Sequence, residues 1–240
     1  MTLVQSLLLS ILVSILITTT LATRINNPFT SMFVFGDSLI DPGNNNNLFT
    51  LAKANHRPYG VDFELGPTGR FTNGKTFVDC LGDLLGMPLI PAFTNSSATG
   101  PELLRGVNYA SSASGILDDT GSDLGQDFSM DAQIKQFRGT LNELKLQLKG
   151  GLEDFISNSL IVSNMGTNDY LNNYLVDSDK RAKYTPDAFN DILIQNYTKQ
   201  MEVIYKKQQK KCEFIPRIIV NILNLKFFYR IYTTWVFEIS

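Results

Sequence analysis

The stretch "SMFVFGDSLIDPGNNNN", residues 31–47, decides the fold. Its first five residues are short, apolar and followed by a glycine, a pattern that predicts a fully buried strand. The apolar run ends at Gly36-Asp37-Ser38, and a loop rich in asparagine follows. The rest of the chain must therefore explain why a buried strand ends by presenting a serine.

Outward from this stretch, strand-like and helical patterns alternate. Residues 106–109, "GVNY", and 160–163, "LIVS", are short apolar runs typical of strands, whereas the stretches 74–87, 130–149 and 186–211 place apolar residues at helical spacing. This alternation predicts an α/β layered fold with a mainly parallel sheet. In the first helix the expected apolar face comprises Phe77, Val78, Leu81, Leu84 and Leu85. Between the first strand and this helix, residues 55–73 are rich in glycine and proline and predict a long loop.

Polar turns follow three of the predicted strand ends, around Ser38, Gly115 and Asn168. Sites in open α/β sheets lie beyond the carboxyl ends of the strands, so we expect these turns to converge. Ser38 alone is more simply explained as a helix N-cap or turn residue. A serine that attacks a carbonyl, however, needs donors for the oxyanion, and a glycine N–H and an asparagine amide are suitable donors.

Taken together and in this order, these segments resemble the GDSL esterase/lipase family, in its plant secreted branch. The matching blocks are "FVFGDSLIDPGNNN", "GVNYASSASGIL" and "GTNDYLNNYL", and the loop "RPYGVDFELGPTGRFTNGKTFVD" fits the family's stretch between the first two. The resemblance extends from about Met32 to about Tyr205.

The resemblance implies a three-layer α/β/α fold with a mainly parallel central sheet, the flavodoxin-like SGNH hydrolase fold. It also implies hydrolysis of carboxylic esters, in small molecules or lipids, with Ser38 as nucleophile and an acyl-enzyme intermediate. The oxyanion would be bound by the N–H groups of Ser38 and Gly115 and by the Asn168 side chain. The family uses no metal or organic cofactor.

The serine needs a base, which this family takes from an Asp-x-x-His block near its C-terminus. We find no such block in this chain, and we expect His56, its single histidine, to pack in the loop. The sequence therefore predicts a partial hydrolase domain at 23–211 that is incomplete at its C-terminus, from a shortened or misread gene product. The tail at 212–240 does not match the family. Turnover should be impaired, and the alternative is a non-catalytic secreted protein that binds acyl or glycan groups.

The N-terminus predicts export. The apolar run at 7–17 is followed by small residues and a plausible cleavage position at Ala22, which is typical of a signal peptide over 1–22. After cleavage no transmembrane span is expected. The triplets beginning at Asn95 and Asn196 fit the N-glycosylation pattern.

Charge and cysteine content exclude some other classes. A net charge of −2 gives no reason to expect nucleic acid as a partner. Cys80 and Cys212 are the two cysteines and form no C-x-x-C pair, which argues against zinc or dithiol chemistry, and whether they pair stays open.

Overall fold

The structure is a computed structural model that describes residues 27, 29–95, 98–206 and 218–220. The predicted signal peptide and Cys212 lie outside these residues. Most of the predicted tail lies outside them as well, and so do residues 207–211 of the third predicted helix.

A parallel sheet forms the centre of the described part of the chain. Its strands are β1 (Ser31–Gly36), β2 (Gly106–Asn108), β3 (Ser159–Asn164) and β4 (Ile218–Val220), in the order β2-β1-β3-β4. This is the flavodoxin-like order, in which β2 lies on one side of β1 and the later strands lie on the other side. The predicted parallel sheet is confirmed.

Helices connect the strands. The long helix predicted at 130–149 is confirmed, the one predicted at 186–211 is confirmed over its described residues up to Lys206, and the helix predicted from Gly74 is shorter than expected. The short helices at 152–157 and 178–183 were not predicted, because one or two turns show no clear period. The helical elements are α1 (Phe77–Leu84), α2 (Met130–Leu148), α3 (Leu152–Ser157), α4 (Thr167–Asp169) continuing into the π-helical Tyr170–Tyr174, α5 (Ser178–Lys183), α6 (Pro186–Lys206), and 3-10 turns at Gly100–Arg105 and Ser122–Leu124.

Both faces of the sheet are covered. Phe33 and Phe35 of β1 pack in one core cluster with residues of α2 and α6, including Phe137. The alternate residues Met32 and Val34 pack in a second cluster that contains Val78 of α1. Because successive side chains of a strand point to opposite faces, the two clusters put helices on both sides. The predicted three-layer α/β/α architecture is confirmed.

Helix α1 corrects the expected apolar face. Val78 is buried, but Phe77 and Leu84 are 54% and 70% exposed. The helix is fixed largely by polar contacts at its start: Thr76 and Asp79 form a capping box, and Asp79 also pairs with the buried Arg70 at 2.7 Å. A helix of two turns with such an anchor does not need a continuous apolar face.

Candidate functional site

The carboxyl ends of β1, β2 and β3 lie together at one edge of the sheet. Gly36 is the register partner of Asn164, so the turns that follow β1 and β3 begin side by side. On the other side of β1, the Ser111 N–H donates to the Gly36 carbonyl over 2.9 Å and joins the segment that follows β2. All three predicted polar turns thus start from neighbouring strand ends.

The last residue of β1 is clamped by Gln133 of α2. The Gly36 N–H donates to Oε1 of Gln133 over 2.9 Å, and Nε2 of Gln133 donates back to the Gly36 carbonyl over 2.9 Å. The same Nε2 lies 2.8 Å from the Phe128 carbonyl. Gln133 is fully buried. This side chain therefore fixes the base of the turn that carries Ser38.

Ser38 is partly exposed in the turn after β1. The turn is closed by the carboxylate of Asp37, which accepts the Leu39 N–H, and by the Asp37 carbonyl, which accepts the Ile40 N–H. Neither the hydroxyl nor the N–H of Ser38 has a hydrogen-bond partner among the described residues. Both groups are therefore available to a ligand.

Gly115 lies in the turn that follows β2, where a side chain would not fit. A Cβ at this position would lie 2.5 Å from Cγ2 of Thr120 and 2.6 Å from Oδ2 of Asp169. Its carbonyl accepts the Met130 N–H over 3.0 Å, whereas its own N–H has no acceptor within the described part of the chain. Gly115 thus offers an uncommitted donor.

Asn168 in α4 is held by both ends of its amide. Its Nδ2 donates to the Ser114 carbonyl over 2.9 Å, and its Oδ1 accepts from Nδ2 of Asn172 over 2.8 Å. The amide nitrogen carries two hydrogens, so one remains for another acceptor. Ser114 in turn donates from Oγ to the Gly36 carbonyl over 3.2 Å. This chain of contacts brings Ser38, Gly115 and Asn168 into one region.

The loop after Ser38 is fastened to the turn after β2 by side chains. Nδ2 of Asn44 donates to the carbonyls of Asn108 and Ala110, each at 2.8 Å. Asn45 donates from Nδ2 to the Ser112 carbonyl over 2.9 Å, and Asp41 accepts the Ser112 hydroxyl at 2.6 Å. From the sequence this asparagine run was predicted only to be a loop, because the partners of its side chains lie far along the chain.

Two buried carboxylates lie beside the candidate residues. Burial, with a smaller effect of the nearby carboxylates of Asp169 and Asp41, raises the pKa of Asp37 to about 6, although the hydrogen bond from the Leu39 N–H opposes the rise. Burial likewise raises the pKa of Asp169 to about 6, against its hydrogen bonds from the backbone of Leu117 and Ile116. Sequence reasoning had not assigned a role to either residue, although each adjoins a candidate.

Several buried polar atoms at these strand ends lack a hydrogen-bond partner among the described residues. They are Oδ2 of Asp37, Oδ1 of Asn164 and Oγ1 of Thr167. Buried polar atoms are normally paired, so a group of unpaired ones at one edge of a sheet is typical of a functional site.

His56 lies exposed on the long loop. Its Nδ1 is 2.9 Å from the Arg57 carbonyl, and its ring packs edge-on against Tyr59. Among the described residues, His56 makes no hydrogen bond or ring contact with Ser38. Within the same residues, no group of three or more His, Cys, Asp and Glu side chains is arranged to hold a metal ion.

A cavity of about 840 Å³ is lined by residues of the loop after Ser38, such as Pro42, and of the segment before β2, such as Arg105. Ser38, Gly115 and Asn168 are not among its lining residues. Its wall combines amide and charged groups with aliphatic surface from Leu65 and Ile90. None of the helices in the described segments is both long and apolar enough to cross a bilayer.

Comparison with known proteins identifies a matching family. The profile of the family described as GDSL-like lipase/acylhydrolase matches residues 32–226, past Tyr205, where the sequence resemblance was expected to end. Two GDSL esterase/lipases of Arabidopsis thaliana are 48% and 50% identical over 187 and 184 residues, covering 76% and 75% of this chain. GDSL esterase/lipase 7 of the same plant is 44% identical over 187 residues, which cover 75% of this chain.

These matches cover 49%, 47% and 51% of the respective relatives. The chain therefore spans about half the length of the curated relatives it matches. No solved structure gives a significant match. With a profile match over most of its length and relatives of this similarity, the chain belongs to the GDSL-like lipase/acylhydrolase family.

Proposed function

We propose that this protein is a hydrolase of carboxylic esters in which Ser38 is the nucleophile. One observation carries the proposal. In the described residues the Ser38 hydroxyl and the Gly115 N–H have no hydrogen-bond partner, and they lie at the same edge of the sheet as the Asn168 amide, which uses one of its two hydrogens. A nucleophile beside several fixed donors is the arrangement that acyl transfer requires.

In the proposed reaction the Ser38 oxygen attacks the ester carbonyl while its proton passes to a base. The oxyanion of the tetrahedral intermediate accepts hydrogen bonds from the N–H groups of Ser38 and Gly115 and from Nδ2 of Asn168. Collapse of the intermediate expels the alcohol and leaves an acyl-enzyme, which water then hydrolyses to the acid. The chemistry of these steps requires no metal or organic cofactor.

The base determines how fast this form turns over. His56 has contacts only within its own loop, and the other groups beside Ser38 in the described residues are carboxylates and amides. Without a positioned imidazole a serine hydroxyl is a poor nucleophile, and residual catalysis comes from the oxyanion donors and from binding. We expect turnover to be at least about a thousandfold below that of a full-length relative.

The substrate class is a carboxylic ester of a small molecule or a lipid. The relatives carry the names esterase and lipase, which supports this class.

We also propose that the protein is secreted. The predicted signal peptide at 1–22 and the sequon at Asn95 support this location. The second sequon is less accessible, because Asn196 lies within α6 and its Nδ2 donates to the Ile192 carbonyl over 2.8 Å.

A second candidate function is non-catalytic binding of acyl or glycan groups. It is favoured by the position of His56, whose contacts in the described part of the chain, with the Arg57 carbonyl and the Tyr59 ring, lie within the long loop. Such a protein would keep the pocket and the donors but would not activate the serine.

A fluorophosphonate probe separates the two functions, because it bonds covalently only to an activated hydroxyl. We expect slow labelling at Ser38, abolished in Ser38→Ala and unchanged in the matched control Ser157→Ala, whose exposed hydroxyl donates to the Asp154 carbonyl. Absence of labelling in the folded wild-type chain would favour the binding protein. Hydrolysis of p-nitrophenyl acetate that is lost equally in Ser38→Ala and His56→Ala would assign the base to His56.

A further inference from the structure

The turn that bears Gly115 is tied to the turn after β3 by one buried side chain, that of Asp169. This carboxylate is fully buried and accepts three hydrogen bonds. Its Oδ2 accepts the Ile116 N–H over 2.9 Å, and its Oδ1 accepts the Leu117 N–H over 3.0 Å and the Thr120 hydroxyl over 2.8 Å. All three donors come from the segment that directly follows Gly115.

Asp169 also adjoins both proposed oxyanion donors. It follows Asn168 in sequence, and its Oδ2 is the atom that a Cβ on Gly115 would meet at 2.6 Å. The two oxygens of Asp169 accept the N–H groups of Ile116 and Leu117, the two residues that follow Gly115. The N–H of Gly115 itself has no acceptor among the described residues. The carboxylate thus sets the direction of the amide that precedes the ones it binds.

The far end of the same turn is held by a second layer of contacts. Nδ2 of Asn173 donates to Oγ1 of Thr120 over 2.9 Å and to Oδ1 of Asp119 over 3.0 Å. Nζ of Lys180 pairs with Asp119 at 2.5 Å. Thr120 is therefore already fixed when it donates to Asp169, which leaves the carboxylate little freedom to move.

We propose that Asp169 is a positioning residue for ester hydrolysis: its carboxylate holds the Gly115 N–H and the Asn168 amide in the mutual geometry that binds the oxyanion. The inference rests on the proposed function and adds a residue that does not touch the reacting atoms. Losing one oxyanion donor typically lowers the chemical rate by about 100-fold or more, so a displaced turn should have a comparable effect.

The test compares Asp169→Asn with Asp79→Asn in the full chain. Asp79→Asn is the matched control, because it alters another buried, hydrogen-bonded carboxylate whose partners are Arg70 and Thr76 and not the Gly115 turn. We expect Asp169→Asn to lower the maximal rate of fluorophosphonate labelling at Ser38 by about 100-fold while the probe concentration for half-maximal rate changes by less than about threefold. Asp79→Asn should lower thermal stability but leave labelling of the folded protein unchanged.

A milder variant guards against misfolding of Asp169→Asn. Thr120→Val removes one of the three bonds to the carboxylate at nearly constant volume and should slow labelling by about tenfold. Equal labelling rates in wild type, Asp169→Asn and Thr120→Val would overturn the inference.

Amide hydrogen exchange provides a readout that does not depend on chemistry at Ser38. In Asp169→Asn, exchange at Ile116 and Leu117 should accelerate relative to β1, whereas in Asp79→Asn it should not. If wild type is not labelled at Ser38, the proposed function fails, and exchange still decides whether Asp169 holds the turn. Unchanged exchange at these two amides would refute the positioning role even if Ser38 is reactive.

Discussion

Gly115 is the candidate residue whose side-chain identity is most tightly fixed by its surroundings. In Gly115→Ala the added Cβ would overlap Cγ2 of Thr120 at 2.5 Å and Oδ2 of Asp169 at 2.6 Å, so the turn must shift. We expect fluorophosphonate labelling at Ser38 to fall by about tenfold or more, since the Gly115 N–H moves with its Cα.

The control for that substitution is Gly139→Ala in α2. A Cβ at Gly139 meets no atom within 4 Å, and alanine is favoured over glycine inside a helix. This variant should label at the wild-type rate and gain about 0.5–1 kcal/mol in the free energy of unfolding. A loss of labelling in both variants would show that the effect does not depend on the crowding at Gly115.

Asn172 orients Asn168 through a single hydrogen bond of 2.8 Å to its Oδ1. Asn172 is only partly buried, so Asn172→Ala should leave the melting temperature nearly unchanged. Without that bond the Asn168 amide can rotate, and we expect labelling at Ser38 to slow by about tenfold. Asn158→Ala, which removes an exposed amide bonded to the Asp154 carbonyl, is the control and should label normally.

The sequence identified Ser38, Gly115 and Asn168 as candidates because a known family has them in blocks that can be recognised locally. It missed Gln133 and Asp169, which hold those blocks in place. Gln133 binds Gly36 across 97 positions, and Asp169 binds Ile116 across 53. No periodicity or local motif reports a contact over such separations, so only the folded chain could show them.

Among the helices and strands, a recognisable apolar pattern decided what could be predicted. Strands β1, β2 and β3 and helices α2 and α6 show such a pattern and were predicted. The six-residue helices α3 and α5 carry no such pattern and were missed. In α1, Val78, Leu81 and Leu85 pack against the core as expected, but Phe77 and Leu84 are exposed, because polar contacts fix the start of the helix.

The anchor of α1 gives a stability prediction. Arg70→Leu would leave the carboxylate of Asp79 buried without its cation, whereas Arg70 now donates to it at 2.7 and 3.0 Å. Breaking a buried pair in this way costs about 3–5 kcal/mol, which denaturant unfolding would detect. The exposed pair Lys75–Asp83 is the comparison, and Lys75→Ala should lower the free energy of unfolding far less than Arg70→Leu does. Equal costs for the two variants would contradict the assigned role of the Arg70 anchor.

For the whole molecule, the order β2-β1-β3-β4 explains why residues so far apart in sequence meet. From β1 the chain adds β2 on one side of the sheet and then β3 and β4 on the other side. Ligand sites in such sheets lie where the order of the strands reverses, between β1 and β3. The turns after β1 and β3 carry Ser38 and Asn168. This relation could be predicted once the family was recognised, but the strand order itself is not visible in the composition.

The buried carboxylates predict how overall stability depends on pH. Asp37 and Asp169 have a pKa of about 6 in the folded state and an ordinary value of 3.8, so the folded protein binds more protons between these values. Stability should therefore rise as the pH is lowered from about 7 to about 5. For either group alone, the full shift of the pKa from 3.8 to about 6 corresponds to roughly 3 kcal/mol in the free energy of unfolding. Only part of this difference is gained between about pH 7 and about pH 5.

Chemical unfolding at pH 7 and at pH 5 checks this expectation. In the double variant Asp37→Asn, Asp169→Asn the gain at the lower pH should become smaller, because neither side chain can titrate. Asp79 has a lowered pKa through its contacts with Arg70, despite the opposing effect of burial, and its contribution is lost only at more acidic pH. Equal stability of the wild type at the two pH values would contradict the burial assigned to Asp37 and Asp169.

The four consecutive asparagines at 44–47 lie in three different environments. Asn44 and Asn45 are buried and donate to backbone carbonyls at the end of β2 and in the segment after it, Asn46 donates to the Thr68 carbonyl, and Asn47 is exposed. Saturation mutagenesis of this quartet should consequently give a steep gradient of tolerance along identical letters, from near-total intolerance at the first two to free replacement at the last. The first two residues of this repetitive stretch therefore hold the loop after Ser38 against the segment that follows β2.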